Sequence, residues 1–475
     1  MINHGVNVSE AATNVSTPSV AKSGIPFAIG ATPVQSATSP AKAGSPALCV
    51  NWDDAIGKFG YSENWGSYPL CEFMYSHFKL YGRQPVIFCN MLDPVTMQAA
   101  VAAAELSVED HKVKLPIEAI DDTALVVKAS GGAGSAYVKG TDYSAYYDGE
   151  NLVVELLSTG SAYSAEELNV AYKKVDPSKV TESVIAAGME SIEYCMPMLG
   201  TVPDLICAPG FSDKKTVAAV MATKAAGING MFRAKALIDI STSAVGGADD
   251  YSKVAALKAA NLFVDENEIA CWPLLKKGNR IFHFSTQLAG AIAQTDSDND
   301  GCPYESPSNK PLQCDAMVAV TGKEINLTLA QANMLNAAGV VTALNFMGSW
   351  TCWGNYTACY PENTDLKDYY IPLSRMFDWV GNTLIRTYWS KLDKPMSRRL
   401  IDTVIDDCNI WLNGLVGSGY LLGARVEFVD SENTLENLTA GIIITRIYLT
   451  PPSPAQEFDF ILKYDASYVA SVLAA

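Results

Sequence analysis

The sequence predicts an α/β core with an α+β C-terminal domain, an inserted small β-sandwich-like domain, and extended N- and C-terminal strand arms. Strand and helix patterns alternate between residues 176 and 325, which favours a largely parallel sheet covered by helices. Short strand patterns with Gly- and Asp-rich turns follow one another between residues 93 and 175, which is typical of a small sandwich or barrel. The 475 residues are enough for more than one hydrophobic core.

We divide the chain into six segments. They are an N-terminal extended arm, a first part of the core, an inserted β-rich outer domain, an α/β core, a C-terminal domain and a C-terminal strand arm, over residues 1–22, 23–92, 93–175, 176–325, 326–450 and 451–475.

Both ends of the chain carry a short strand pattern. Val6 and Val8 alternate with polar residues ahead of a Thr/Ser/Pro-rich stretch. Near the other end, one face of a predicted strand carries Phe458, Phe460, Leu462 and Tyr464. Prolines at 451, 452 and 454 cannot donate ladder hydrogen bonds, so they separate this strand from the preceding one. Such a terminal strand can fold back or reach another subunit, and the N-terminal stretch can equally be a frayed terminus.

Helices and strands alternate through the core. Helices are expected at 68–81, 180–199, 214–226 and 252–262. Strands are expected at 85–90, 204–208, 232–240 and 268–272.

The inserted segment is predicted to be all β. Strands are expected at 125–127, 137–143, 152–157 and 168–172. A carbohydrate-binding module is the functional alternative for such a domain, but no aromatic platform is evident in the sequence.

The run from Leu327 to Thr357 is the most informative stretch. Apolar residues at helical spacing precede Gly339, which stands where a left-handed helix cap belongs. An apolar strand pattern and a glycine-bracketed turn with Trp353 and Asn355 follow. Beyond it we expect two amphipathic helices, at 373–388 and 400–415, and two strands, at 421–429 and 442–449.

This run resembles the signature of contractile tail sheath proteins. The matching residues are Leu335-Asn336, Gly339-Val340, Trp353-Gly354-Asn355 and Thr357. The resemblance extends to Pro209-Gly210, to the C-terminal strands, and to the start of the chain at Gly5, Val6, Val8 and Glu10.

The resemblance implies a structural subunit and not an enzyme. Such subunits polymerise helically around an inner tube and contract to drive it through a target cell envelope. The implied partners are other copies of the chain, the inner tail tube protein, and baseplate and tail terminator proteins, with no cofactor. The two arms, with Val6, Val8, Phe458, Phe460, Leu462 and Tyr464, would link neighbouring subunits, and the β-rich insertion would lie on the outer surface.

One basic cluster stands out in an acidic chain. It contains Lys391, Lys394, Arg398 and Arg399, with Arg386 nearby, and only Asp393 opposes it. Solvated helix ends explain such charges, since cations are favoured near a helix C-terminus. The alternative is a patch that faces an acidic partner, which in a sheath would be the inner tube.

The net charge and the cysteine spacing indicate which partners and which cellular compartment to expect. The net charge of −17 disfavours nucleic-acid binding, and no apolar run is long enough for membrane insertion. The 11 cysteines have no C-x-x-C spacing, so free buried thiols in a reducing cytoplasm are expected. We therefore expect assembly in the bacterial cytoplasm and release by lysis, as a virion tail or an extracellular contractile particle.

No catalytic or metal-binding motif is evident. The four histidines lack zinc spacing, and neither a Walker A sequence nor a G-x-S-x-G elbow is present. Residues 296–301 resemble the start of a calcium loop, but Pro307 stands where the bidentate glutamate belongs, so a solvated polar turn is expected. The alternatives left open are a non-contractile shell or surface-layer protein and an α/β enzyme with a carbohydrate-binding β-domain.

Overall fold

The computed structural model describes residues 18–469. In chain order its strands are β1 Pro26–Gly30, β2 Ala47–Cys49, β3 Val86–Asn90, β4 Gln98–Ser107, β5 Lys112–Pro116, β6 Val126–Ala129, β7 Tyr143–Asp148, β8 Asn151–Leu156, β9 Glu167–Val175, β10 Leu205–Cys207, β11 Lys235–Asp239, β12 Glu268–Cys271, β13 Leu274–Lys277, β14 Arg280–Phe282, β15 Ala316–Val318, β16 Glu324–Ile325, β17 Val340–Asn345, β18 Trp350–Trp353, β19 Gly423–Phe428 and β20 Thr445–Thr450.

The α-helices are α1 Trp52–Phe59, α2 Pro69–Tyr75, α3 Glu182–Gly188, α4 Cys195–Leu199, α5 Lys215–Ala226, α6 Tyr251–Asn261, α7 Phe284–Asp298, α8 Leu329–Ala337, α9 Leu366–Tyr369, α10 Ile371–Tyr388, α11 Arg398–Gly417 and α12 Leu435–Thr439.

An eight-stranded sheet forms the centre of the molecule, in the order β18-β17-β12-β11-β10-β1-β3-β2. The inner pairs are parallel, and only the outermost pairs, β17–β18 and β2–β3, are antiparallel. Strands β1, β3, β10, β11 and β12 are buried along their whole length, as expected for a sheet covered on both faces. The predicted mixed α/β fold is confirmed.

Two features of the core differ from the sequence prediction. The helix expected at 180–199 is broken into α3, a 3₁₀ turn at Met189–Tyr194, and α4. At Gly188 a Cβ would lie 2.5 Å from Met91 atoms, so the chain approaches its neighbour more closely than a longer residue allows. Helix α7 was not predicted, because nearly every face of it is buried and no amphipathic period marks it.

The expected turn at 296–301 is also wrong for its first three residues, which belong to α7. Asp296 lies in the last turn of α7 and is 1% exposed.

Residues 98–175 form two three-stranded antiparallel sheets, β4-β9-β6 and β5-β8-β7. They enclose a hydrophobic cluster that includes Val113, Val127, Leu152, Val154 and Val170. A strand expected at 137–143 is displaced, and pairing begins only at Tyr143. The segment boundaries given above stay a prediction.

Helices α10 and α11 pack with the β19–β20 hairpin around a third cluster. Its buried members include Met376, Trp379, Val380, Cys408 and Leu412. Ala21, near the other end of the chain, belongs to the same cluster. The α10–α11 unit therefore receives part of the N-terminal segment.

Candidate assembly site

The N-terminal segment runs along one face of α10. Val6 and Val8 lie outside the described residues. Ser19 N donates to Thr387 Oγ1 at 3.0 Å, and Ala21 N donates to Thr383 Oγ1 at 3.0 Å. Trp379 Nε1 donates to the Ala21 carbonyl at 2.8 Å. The three helix residues are four apart, so they share one face of the helix.

The same segment then enters the core. Gly24 N and Ile25 N donate to Asp204 at 3.0 and 2.7 Å, directly ahead of β1. Burial raises the pKa of the Asp204 carboxyl, although Arg375 opposes that shift. Residues 19–25 are thus held by backbone hydrogen bonds at several points.

The C-terminal segment is held much less tightly. Residues 451–465 form no helix or strand, so the strand predicted around Phe458 has no partner within the described chain. The exposed fractions of Phe458, Phe460, Leu462 and Tyr464 are 75%, 82%, 95% and 84%. A role of these residues in linking subunits stays a prediction.

The anchor of the C-terminal segment is Gln456. Its Oε1 accepts from Tyr356 at 2.9 Å and from Tyr370 at 3.4 Å. These tyrosines belong to a ring cluster, defined by Tyr356, Tyr360, Tyr369 and Tyr370, with centroids 4.2–5.6 Å apart. Together with the turn at Trp353, residues 452–458 border a cavity of about 1050 Å³.

The signature run has a structural role in this arrangement. Gly354 has φ 146°, and a Cβ there would lie 2.8 Å from Asn336 Oδ1 and 3.1 Å from Val341 Cα. Its neighbour Asn355 accepts from Ser306 Oγ at 2.5 Å, and its backbone carbonyl accepts from Ile371 N at 2.8 Å. The Trp-Gly-Asn turn therefore fixes the start of α10 beside the end of the central sheet.

The hairpin β19–β20 is a two-stranded sheet, and no further strand pairs with it among residues 18–469. Ala424, Val426, Ile447 and Leu449 pack against the α10–α11 cluster. Its other face carries Arg425, whose guanidinium lies 4.0 Å from the Tyr448 ring centre.

The basic cluster lies between the two C-terminal helices. Lys391 ends a 3₁₀ turn after α10, and Lys394 lies in the exposed connection. Arg398 and Arg399 are the first two residues of α11, and Arg398 Nε donates to Asp402 at 2.9 Å. Both arginines are exposed at a helix N-terminus, where the helix dipole disfavours cations, so the dipole does not explain their position. The connection also exposes Trp389, Leu392 and Met396.

A buried polar cluster lies at the carboxyl ends of the parallel strands. Asp239 accepts from Ser212 Oγ and from the hydroxyl and backbone N–H of Ser285. Burial raises the pKa of Asp239. Burial lowers the pKa of His283, but the Glu72 carboxylate 2.8 Å from its Nδ1 outweighs this and raises that pKa to about 9.

Ligands in open α/β sheets bind where the strand order reverses, which here is between β1 and β10. Side chains occupy that position. A Cβ on Gly30 would meet Leu70 at 3.1 Å, and one on Gly210 would meet Pro69 and His283 at 3.7 and 3.8 Å. In the described part of the chain no three His, Cys, Asp or Glu side chains are grouped to hold a metal ion. Between residues 18 and 469, none of the helices has the length and apolar character to cross a bilayer.

Comparison with known proteins gives consistent results. No family model matches the chain. It is 25% identical over 496 aligned positions to the tail sheath protein of Burkholderia phage BcepMu, which covers 99% of this chain and 98% of the relative. It is also 28% identical over 142 residues to the tail sheath protein of Escherichia phage P2, covering 30% of this chain and 35% of the relative.

Solved structures share the fold over nearly the whole length. The contracted PVC sheath complex of an extracellular contractile injection system aligns with a TM-score of 0.59 and 16% identity, over 98% of this chain and 99% of that one. A chain of the anti-feeding prophage baseplate aligns with a TM-score of 0.58 and 16% identity over the same shares. Over nearly its whole length the chain is therefore similar in sequence to a phage tail sheath protein and shares the fold of contractile sheath structures.

Proposed function

We propose that the chain is the structural subunit of a contractile tail sheath, which polymerises helically around an inner tube and contracts to drive it through a cell envelope. The observation that carries the assembly mechanism is the C-terminal segment. It presents four apolar side chains, each at least 75% exposed, on a backbone without partners inside the described chain. Large exposed apolar groups on an unpaired strand are typical of an interaction segment.

The hairpin β19–β20 offers a matching acceptor. A two-stranded sheet is marginal by itself, and neither outer edge pairs with a further strand within the described chain, although Val426 N donates to Asn409 Oδ1 at 3.0 Å. Strand addition at such an edge supplies backbone hydrogen bonds, while alternate side chains provide specificity. The arms at residues 1–22 and 451–475 would add strands to hairpins of neighbouring copies.

This mode of linkage generates the polymer. Each copy donates arms and accepts others, so the contacts are head-to-tail, and such contacts form helical filaments when the rotation does not close. Contraction then needs no nucleotide if the extended sheath is a metastable state trapped during assembly. Linked arms would keep neighbours attached while the subunits rotate.

The basic cluster is a candidate contact with the inner tube. Lys391, Lys394, Arg398 and Arg399 stand together in a chain of net charge −17, and two of them oppose their own helix dipole. Exposed Trp389 and Leu392 lie in the same connection. A mixed basic and apolar patch suits an acidic partner surface that is released during sliding. Baseplate and tail terminator proteins would contact the ends of the polymer, after assembly in the bacterial cytoplasm.

Two truncations test the arms. Deletion of residues 1–17, which keeps the contacts of Ser19 and Ala21 with α10, or of everything after Pro454, should abolish the hollow striated tubes expected from the full chain in negative-stain electron microscopy. A chain ending at Tyr464 is the matched control, because it keeps all four exposed apolar residues and should still assemble. Normal tubes from the shorter C-terminal truncation would refute linkage by this arm. Tubes that never shorten would favour the non-contractile shell.

A charge reversal tests the tube contact. Glutamate at Lys391, Lys394, Arg398 and Arg399 together should spare self-assembly but prevent assembly around the tube. Reversal of Lys224, which pairs with Glu190 and Glu193 on the α/β core, is the control. Normal co-assembly of the fourfold variant with the tube would contradict the contact.

A further inference from the structure

One helix receives both terminal segments. Thr387 and Thr383, near the C-terminal end of α10, bond the N-terminal segment, while Tyr370, the N-cap residue of α10, bonds Gln456. Seventeen residues separate Tyr370 from Thr387, which at 1.5 Å per residue is about 26 Å. The two points at which the arms begin are therefore separated by the length of this helix.

The same helix is fastened to the α/β core by buried charges. Arg375 donates to Asp296 Oδ1 at 2.8 Å and to Asp204 Oδ2 at 2.7 Å, and its side chain is 3% exposed. Lys235 Nζ on β11 lies 2.9 Å from Asp378 Oδ2, with side chains 2% and 9% exposed.

A third contact continues this face. Asn382 accepts from Arg233 N at 2.9 Å and donates to the Arg233 carbonyl at 2.8 Å. Residues 375, 378 and 382 follow helical spacing, so one whole stripe of α10 bonds the core through polar groups. Separating a buried pair leaves an uncompensated charge away from water, so movement of α10 against the core is strongly disfavoured.

From these contacts we infer that α10 is a rigid spacer that holds the starting points of the two arms at a fixed separation. It transmits force from the arms to the α/β core. Arg375, Asp378 and Asn382 act as positioning residues for this spacer. Bending during contraction takes place outside this helix, after residue 456. The inference rests on the proposed function, because it assigns a mechanical role to the same arms.

Spin labels test the separation directly. All eleven natural cysteines are buried, so labels can be placed selectively at Val20→Cys and Ser453→Cys, both exposed positions. Double electron–electron resonance should give one narrow distance distribution in the free chain, unchanged in assembled tubes. The control pair, Val20→Cys with Leu462→Cys, should be broad in the free chain because Leu462 is 95% exposed.

A second variant tests rigidity in the working polymer. Gly381 lies in the middle of α10, and a Cβ there would meet nothing within 4 Å. Gly381→Ala stiffens the helix without a clash, so assembly and denaturant-induced contraction should be unchanged.

Two results would overturn the inference: a broad distribution for the 20/453 pair, or a Gly381→Ala sheath that assembles but does not contract. If the chain forms no tubes under any condition, the proposed function fails, whereas the distance distribution of the free chain still decides whether α10 is a rigid spacer.

Discussion

The N-terminal and C-terminal segments reach the same helix but are held in different ways. Residues 19–25 bond through their backbone at six points, and Ala21 is 8% exposed within an apolar cluster. The C-terminal segment relies on the side chain of Gln456 and leaves its apolar residues in solvent. The first attachment is part of the fold, whereas the second leaves a segment available to another molecule.

The largest effect is expected from Trp379→Ala. Trp379 is 6% exposed, packs on Trp411 with ring centres 5.8 Å apart, and donates to the Ala21 carbonyl. Loss of a buried aromatic side chain costs about 3–5 kcal/mol in the free energy of unfolding. Urea unfolding measures this loss of stability. The control is Trp389→Ala, which removes a ring that is 58% exposed and should change the free energy of unfolding by no more than about 0.5 kcal/mol. Equal losses would show that the N-terminal attachment is not part of the fold.

A smaller effect on stability distinguishes two hydrogen bonds of the N-terminal attachment. Thr383→Val removes the acceptor of the buried Ala21 N–H and should cost about 1–3 kcal/mol, because that donor is left unpaired. Thr387→Val removes the acceptor of the exposed Ser19 N–H, which water can replace, so about 0.5 kcal/mol or less is expected. Urea denaturation curves of the two variants measure this difference in stability. A larger loss of stability for Thr387→Val would show that the Ser19 hydrogen bond, and not the Ala21 hydrogen bond, is the buried contact.

The smallest effect on stability is expected at the C-terminal attachment. Gln456→Ala should change the free energy of unfolding by less than about 0.5 kcal/mol, since the residue is exposed. The released segment must then be ordered again when it binds a neighbour, at a cost of about 1 kcal/mol, which should raise the critical concentration for tube formation about fivefold. Sedimentation of tubes measures this, with Glu457→Ala as the control. A destabilised monomer with an unchanged critical concentration would mean that the contrast between the two segments is wrong.

Much of the core could be predicted from local patterns. The buried β-branched runs predicted strands that the structure places within a few residues, as at β3, β10 and β12. Helices α5 and α6 also lie within a residue or two of their expected positions. Helix α7 was missed because burial on all sides removes the periodic signal.

The candidate site was predicted only in part. Phe458, Phe460, Leu462 and Tyr464 are exposed, but so are the residues between them, and no strand forms there, so their alternation stays a prediction. The polar stripe of α10 was missed, because Arg375, Asp378 and Asn382 have the composition of a solvated helix face. Amphipathic periodicity identifies the apolar stripe of a helix, and the remaining residues of the helix are then assigned to the solvent-exposed surface.

The sequence by itself determined the alternation of elements in the core and the left-handed cap at Gly339. Each depends on residues that are close together in the chain. Only the tertiary structure decided that both terminal segments meet on α10 and that this helix is fastened to the core by charges. Arg375 and its partners Asp296 and Asp204 are 79 and 171 positions apart. Such pairs leave no local pattern, because their stability comes from the burial that the completed fold creates.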